Sequence, residues 1–113
     1  MIVNLTPHPL TLVTDEGNEV VEPTLPPARV KTVGGPASVV EGLAIPVGPV
    51  VEFGEIENLP AEKDGVWYVV SGIVGAAVQN RADVLVPGTG PTDNPVRDEK
   101  GRIAAVTRLN RTC

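Results

Sequence analysis

The sequence predicts an α+β domain that is mostly β: a small mixed sheet, two hairpins and one short helix following a central strand. Three observations carry that expectation. Apolar residues make up 42% of the chain but aromatics only 3%, so the core must be built from Val, Ile, Leu and Ala. Such a core favours strands, because β-branched side chains fit a pleated surface. Twelve glycines and twelve prolines in 113 residues punctuate many short elements, in a chain too apolar to remain disordered. Helical spacing occurs in one place, directly after the apolar run Val66-Trp67-Tyr68-Val69-Val70. At this length a single domain over 1–113 is expected, burying roughly two thirds of the surface its unfolded chain exposes.

The elements follow from local chemistry. Ile2-Val3-Asn4-Leu5 and Leu10-Thr11-Leu12-Val13 read as strand. Pro7 and Pro9 lie between them and donate no N–H, which implies a bulge or an edge position in mid-strand. Thr14-Asp15-Glu16-Gly17 has the residues of a type I turn, so Asn18 to Val21 should return as a partner strand. Glu22 to Pro27 is a proline-rich connection, and Arg29 to Val33 alternates like a half-exposed strand. Leu43 to Ile56 mixes β-formers with Gly and Pro, as two short strands or one bent strand near a sheet edge. Val66 to Val70 is apolar on both faces and should be central, with either Trp67 or Tyr68 entering the core. Ser71 stands where an N-cap belongs. Ile73, Val74, Ala77 and Val78 then mark one buried helix face, with Gln79 and Asn80 outward and the pattern closing at Arg81. Val84 to Val86 resumes strand character, a loop follows from Pro87 to Pro95, and Val96 to Val106 reads as the second hairpin around Asp98-Glu99-Lys100-Gly101.

Net charge is −5, which argues against a nucleic-acid polymer or an anionic membrane surface as partner. The charge is uneven: residues 1–80 hold three basic and ten acidic side chains, residues 81–113 six basic and four acidic. A locally basic end suits a small anion better than a polymer, although a solvated Arg-rich hairpin accounts for it as well. The single cysteine, Cys113, forms no intrachain disulfide, which fits a reducing compartment. No leader pattern and no apolar stretch of membrane length is visible, so a soluble cytoplasmic protein is expected.

Anion capture is the chemistry the residues suggest. A buried strand turning into a helix at Ser71-Gly72 leaves backbone N–H groups free. The two glycines Gly72 and Gly75 are the tail of a dinucleotide fingerprint without its first glycine or its acidic residue, and equally serve tight helix packing. Gly88 and Thr89, in the run Pro87-Gly88-Thr89-Gly90-Pro91, belong to a loop whose N–H groups can form an anion nest, though it lacks a P-loop ending. Arg81, Arg97 and Arg102 are candidate guanidinium clamps, with Asp83 orienting Arg81 or binding a ribose hydroxyl; surface pairing with Asp83, Asp98 or Glu99 is the structural alternative. His8, the sole histidine, is a ligand-contacting candidate beside Asn4 and Thr6, or simply an exposed imidazole. No metal-ligand spacing, nucleophile elbow or Cys–His pair is present, so no catalytic residue, metal or cofactor is expected.

As a set, Asn4-Leu5-Thr6-Pro7-His8, Glu55-Ile56-Glu57-Asn58-Leu59-Pro60, Trp67 to Ser71 with Arg81 and Asp83, Val86-Pro87-Gly88, Val96-Arg97-Asp98 and Gly101-Arg102 resemble a family of small uncharacterised proteins encoded by tailed bacteriophages, prophages and actinobacteria. The resemblance covers nearly the whole chain and implies a setting: a phage accessory protein acting in the host cytoplasm. Joined to the candidate anion residues, it gives the expectation of a non-catalytic sponge for a host immune signalling nucleotide, ADP-ribose-type or cyclic. Two alternatives stand beside it: an accessory protein that docks on a host or virion protein, and a small nucleotide-modifying enzyme using His8 or a carboxylate. Short Val-rich strands imply exposed edges, hence a homo-oligomer.

Overall fold

A computed structural model describes residues 1–78 and 80–112. The strands are β1 (Ile2–Asn4), β2 (Leu10–Thr14), β3 (Gly17–Val21), β4 (Arg29–Val33), β5 (Glu52–Glu57) and β6 (Trp67–Val69). The helix α1 (Gly72–Ala77) follows, then β7 (Val84–Pro87), β8 (Val96–Arg97), β9 (Ile103–Ala105) and β10 (Leu109–Arg111). The predicted mostly-β fold with one short helix after a central strand is present. Its centre is a mixed sheet in the order β1-β6-β7-β10, with β1, β6 and β7 parallel and β10 antiparallel to β7. Three two-stranded ribbons surround it: β2–β3, β4–β5 and β8–β9.

Residue alternation along β6 divides the core. Tyr68, followed by Val70, packs on one side with Leu5, Ala28, Val74, Val78 and Val84. Val69 faces the other side with Leu10 and Val106. Side chains two apart share a face of a strand, so one apolar run feeds two cores. The helix and the roots of β4 and β5 cover the first face, and β2 with β9 the second. Tyr68 is the aromatic in the core, while Trp67 is partly exposed, with the Arg111 guanidinium 5.9 Å from its ring centre.

Both predicted turns form, and Gly17 and Gly101 take the positive φ those turns require. Other expectations are corrected. Pro7 and Pro9 do not bulge a strand; they separate β1 from β2, which belong to different sheets. Proline removes the donors that would continue the ladder, so the chain leaves the central sheet there. The helix ends at Ala77 rather than near Arg81, and Asn80 adopts φ 60° on the way to β7. Its buried face is Val74 and Gly75, with Ile73 exposed. Gln79 lies outside the described residues. Ser71 is the N-cap by position, but its side chain makes no capping hydrogen bond. Among the described residues no helix is long and apolar enough to cross a membrane.

Candidate functional site

Three parallel strands end on the same side of the sheet, and the loops that leave them, after Asn4, Val69 and Pro87, line one cleft. In open sheets with parallel strands, ligands bind outside the carboxyl ends of those strands. The cleft has a volume of about 390 Å³, within the range of small-molecule sites. Its walls include Pro7, His8, Ser71, Gly72, Thr89 and Ile103. A second groove of about 340 Å³, with Ala28, Arg29, Val30 and Ile73 in its wall, shares Pro7 and Ser71 with it.

The first wall is organised by Asn4, whose side chain is buried with 0% exposure. Its Nδ2 donates to the carbonyls of His8 (2.8 Å) and Val21 (2.9 Å). Its Oδ1 accepts from the Thr6 N–H at 2.9 Å and the Thr6 hydroxyl at 2.6 Å. One amide thus closes the Thr6-Pro7-His8 turn and ties it to β3, leaving the imidazole exposed at the cleft. Sequence reasoning placed Asn4 beside the site and missed this role; the signal was an Asx residue two positions before a threonine in a proline-rich loop.

The second wall is the β6–α1 corner. The first helical bond runs from the Gly75 N–H to the Ser71 carbonyl at 2.9 Å, so the N–H groups ahead of it have no intrahelical acceptor. A six-residue helix has a small dipole, and what it offers is individual donors. A Cβ on Gly72 would meet nothing within 4 Å, so that corner is open space. Gly75 is the opposite case: a Cβ there would overlap Val86 Cγ1 and lie 3.1 Å from Thr112 Cγ2. Its role is close packing of the helix on β7 and the chain end.

The third wall follows β7. Gly88 is buried, its N–H donating to the Arg108 carbonyl at 2.9 Å, and a Cβ would stand 2.8 Å from that oxygen. This position is structural, which corrects its assignment to ligand contact. The expected anion nest is likewise filled from within: Asp93 Oδ2 accepts the Gly90 N–H at 2.9 Å, and Arg108 Nε lies 3.3 Å from Oδ1. Hydrogen bonds from Asn110 and from Gly90, with the Arg108 charge, hold the Asp93 carboxyl below its ordinary pKa. Thr89 alone of this loop's candidates reaches the cleft.

The guanidinium groups do not converge on this spot within the chain. Arg81 donates from Nε and Nη2 to the two Asp83 carboxylate oxygens, each at 2.8 Å, and from Nη2 to the Pro60 carbonyl at 2.9 Å. That bidentate pair sits just before β7, at the amino ends of the parallel strands, where it clamps the segment before β6 to the segment before β7. Arg97 donates to the Gly101 carbonyl at 2.9 Å, and Arg102 pairs with Asp98 at 3.3 Å, both within the β8–β9 hairpin. The structure therefore brings together His8, Ser71, Gly72 and Thr89, and leaves Arg81, Asp83, Arg97 and Arg102 elsewhere. Their fork geometry found partners close in sequence, which is the alternative their spacing always allowed.

The Arg81–Asp83 pair makes a pH prediction. The hydrogen bond from Arg81 holds the Asp83 carboxyl below its ordinary pKa, and the reciprocal bond raises that of Arg81. A carboxylate depressed in the native state contributes stability that is full above its unfolded pKa of about 3.9 and is lost as pH falls through the native value. Thermal unfolding of the wild type should therefore lose stability below about pH 4, and Asp83→Asn should show a flatter acid limb while starting from a lower Tm at neutral pH.

Among the described residues the cleft wall carries no carboxylate, lysine, arginine or cysteine, and no group of three metal-ligating side chains occurs. The geometry defines a cleft of small-molecule size with a largely apolar lining, one imidazole and hydroxyl groups, beside the backbone N–H groups at the start of α1. The chain matches no family model, no curated protein and no solved structure.

Proposed function

We propose that this protein is a non-catalytic binder that captures a nucleotide-type small molecule in the cleft at the carboxyl ends of β1, β6 and β7. The observation that supports it best is the meeting of Ser71, Gly72, His8 and Thr89 around one cavity whose wall holds no carboxylate to repel an anion. The prolines Pro7 and Pro9, with Ile103, contribute apolar lining suited to a base or ribose face. Unbonded N–H groups at the start of α1 and the Ser71 and Thr89 hydroxyls suit phosphate or carbonyl oxygens. The anion is held here by neutral donors and not by the expected arginine clamp. His8 faces no carboxylate in the cleft that would orient it as a general base, so the enzyme reading has no supporting pair. The resemblance to phage-encoded small proteins supplies the setting in which such a binder acts as a sponge for a host immune signalling nucleotide.

The test is direct. Purified protein is incubated with ADP-ribose and with cyclic dinucleotides, desalted, and heated to release what it retained. Wild type should release one of these probes unaltered. Gly72→Phe, whose Cβ would meet nothing within 4 Å and whose ring would crowd the cleft, should release none while unfolding at nearly the same temperature. Because the donors are uncharged, retention should change little between low and high salt, unlike that of a multi-arginine site. Absence of retained probe from wild type under every condition would contradict the reading, and a chemically changed product would favour the enzyme alternative.

A further inference from the structure

Two cavities meet at the carboxyl end of β6. The cleft of about 390 Å³ lies on the face of the sheet that β2 and β9 cover, with Leu10 and Val106 in its wall. The groove of about 340 Å³ lies on the opposite face, with Ala28, Val30 and Val74 in its wall. The two walls share Pro7 and Ser71. Pro7 is exposed and Ser71 half-buried, so the saddle between the cavities is open to solvent. The Ser71 hydroxyl makes no capping bond in α1, which leaves a donor and an acceptor at that saddle. Each volume stands near the lower end of the ~300–1,000 Å³ range of small-molecule sites. Two joined cavities of nearly equal size therefore suit a ligand of two similar halves better than a single nucleoside.

Charge marks the far end of the groove. Among the described residues neither wall holds a carboxylate or a lysine, and Arg29, in the groove, is the one guanidinium in either. Arg29 forms no salt bridge among the described residues. Glu57, directly across the β4–β5 ladder from it, is bonded to Lys31 at 3.1 Å. Glu57 and the other carboxylates of β5, Glu52 and Glu55, line neither cavity. A guanidinium left without a carboxylate beside an apolar groove offers its fork to a bidentate anion, and a phosphate fits that geometry.

We infer that the ligand is a linear dinucleotide with a terminal phosphate: one nucleoside in the cleft, the second across the Pro7–Ser71 saddle in the groove, and the terminal phosphate on Arg29. This rests on the reading of the cleft as a nucleotide site and adds to it the second half of the ligand and the residue that selects its charged end. A cyclic dinucleotide has two halves but no terminal phosphate, and ADP-ribose ends in a sugar, so both leave Arg29 unused. Sensitivity to salt is accordingly confined to ligands that carry the terminal phosphate.

Isothermal titration calorimetry on the full chain tests this. Wild type should bind linear diadenylate carrying a terminal phosphate about fivefold more tightly than the same molecule without it, the gain of one exposed charge pair, and high salt should erase that gain. Arg29→Gln should bring the two probes level, and Arg29→Lys should keep part of the gain, because a point charge remains without the fork. Arg29 is exposed, so both variants should fold. Ile73→Glu, at an exposed position that lines the groove and not the cleft, should weaken the linear probes about tenfold more than it weakens AMP. Equal affinity for the two linear probes, or an advantage that survives Arg29→Gln, would overturn the proposal while binding of AMP or ADP-ribose left the cleft reading standing. A longer phosphorylated oligoadenylate bound more tightly than the dinucleotide would overturn it in favour of a nucleic-acid end. Failure of every probe, AMP and ADP-ribose included, would overturn both readings.

Discussion

Asn4→Leu should lower the unfolding free energy by about 3–4 kcal/mol and abolish ligand retention together. Leucine keeps the branching at Cγ, though its methyl groups are bulkier, and offers no partner to the Thr6 N–H or to the His8 and Val21 carbonyls. Leaving a buried donor or acceptor unpaired costs about 1–3 kcal/mol each, and partial rehydration of this surface loop limits the total. The second consequence is positional: without the amide bridge, the turn carrying Pro7 and His8 is no longer fixed to β3, and one wall of the cleft drifts. Denaturant unfolding measures the first effect and probe retention the second. A stable variant that still holds its probe would show that this loop neither supports the fold nor builds the cleft. Asn4→Asp serves as a sharper control, since it keeps the acceptor for Thr6 while losing both donations and introducing a buried charge.

Gly75→Val should be the most damaging single addition to the helix. A Cβ alone intrudes on Val86 Cγ1 and crowds Thr112 Cγ2, and a branched side chain compounds the overlap where α1 packs on β7. Overpacking of this kind costs about 1–3 kcal/mol, and the intrinsic gain from removing a helical glycine, up to ~1 kcal/mol, does not offset it. Gly72→Ala, three residues earlier in the same helix, meets open space and should be neutral or slightly stabilising. The two glycines therefore separate by the sign of their effect in one thermal-unfolding comparison. A neutral or stabilising effect of both changes would mean that helix propensity, and not the contact with β7, governs this segment.

Turn chemistry made both hairpins legible, because Gly17 and Gly101 sit where the backbone demands a positive φ and the flanking residues alternate. The apolar run at Val66 to Val70 was legible as a central strand for the same kind of local reason. Strand β10 was not, since Leu109-Asn110-Arg111 carries one apolar residue and is held by its ladder with β7. Leu43 to Ile56 reads as two short strands or one bent strand near a sheet edge, and nothing in that pattern states that the paired strand begins only at Glu52 with residues 43–51 exposed before it. Of the candidate site, His8, Ser71, Gly72 and Thr89 were recoverable from loop and helix-start signals. The arginines misled because a guanidinium looks the same in sequence whether it awaits a phosphate or already holds a carboxylate. Asp83 lies two residues from Arg81 and Asp98 four from Arg102, and those short spacings decided their partners. Asp93 inside the glycine loop was the corresponding sign that the nest would fill itself.

Titrating isotope-labelled protein with ADP-ribose or a cyclic dinucleotide and following backbone amide resonances tests the location and existence of the site in one measurement. The cleft predicts saturable shifts at Ser71, Gly72, Ile73, Thr89 and the residue 6–11 loop, with Arg81, Arg97 and Arg102 unmoved. Shifts centred on the β8–β9 hairpin or on the Arg81–Asp83 pair, or none at any residue with every probe, would contradict it.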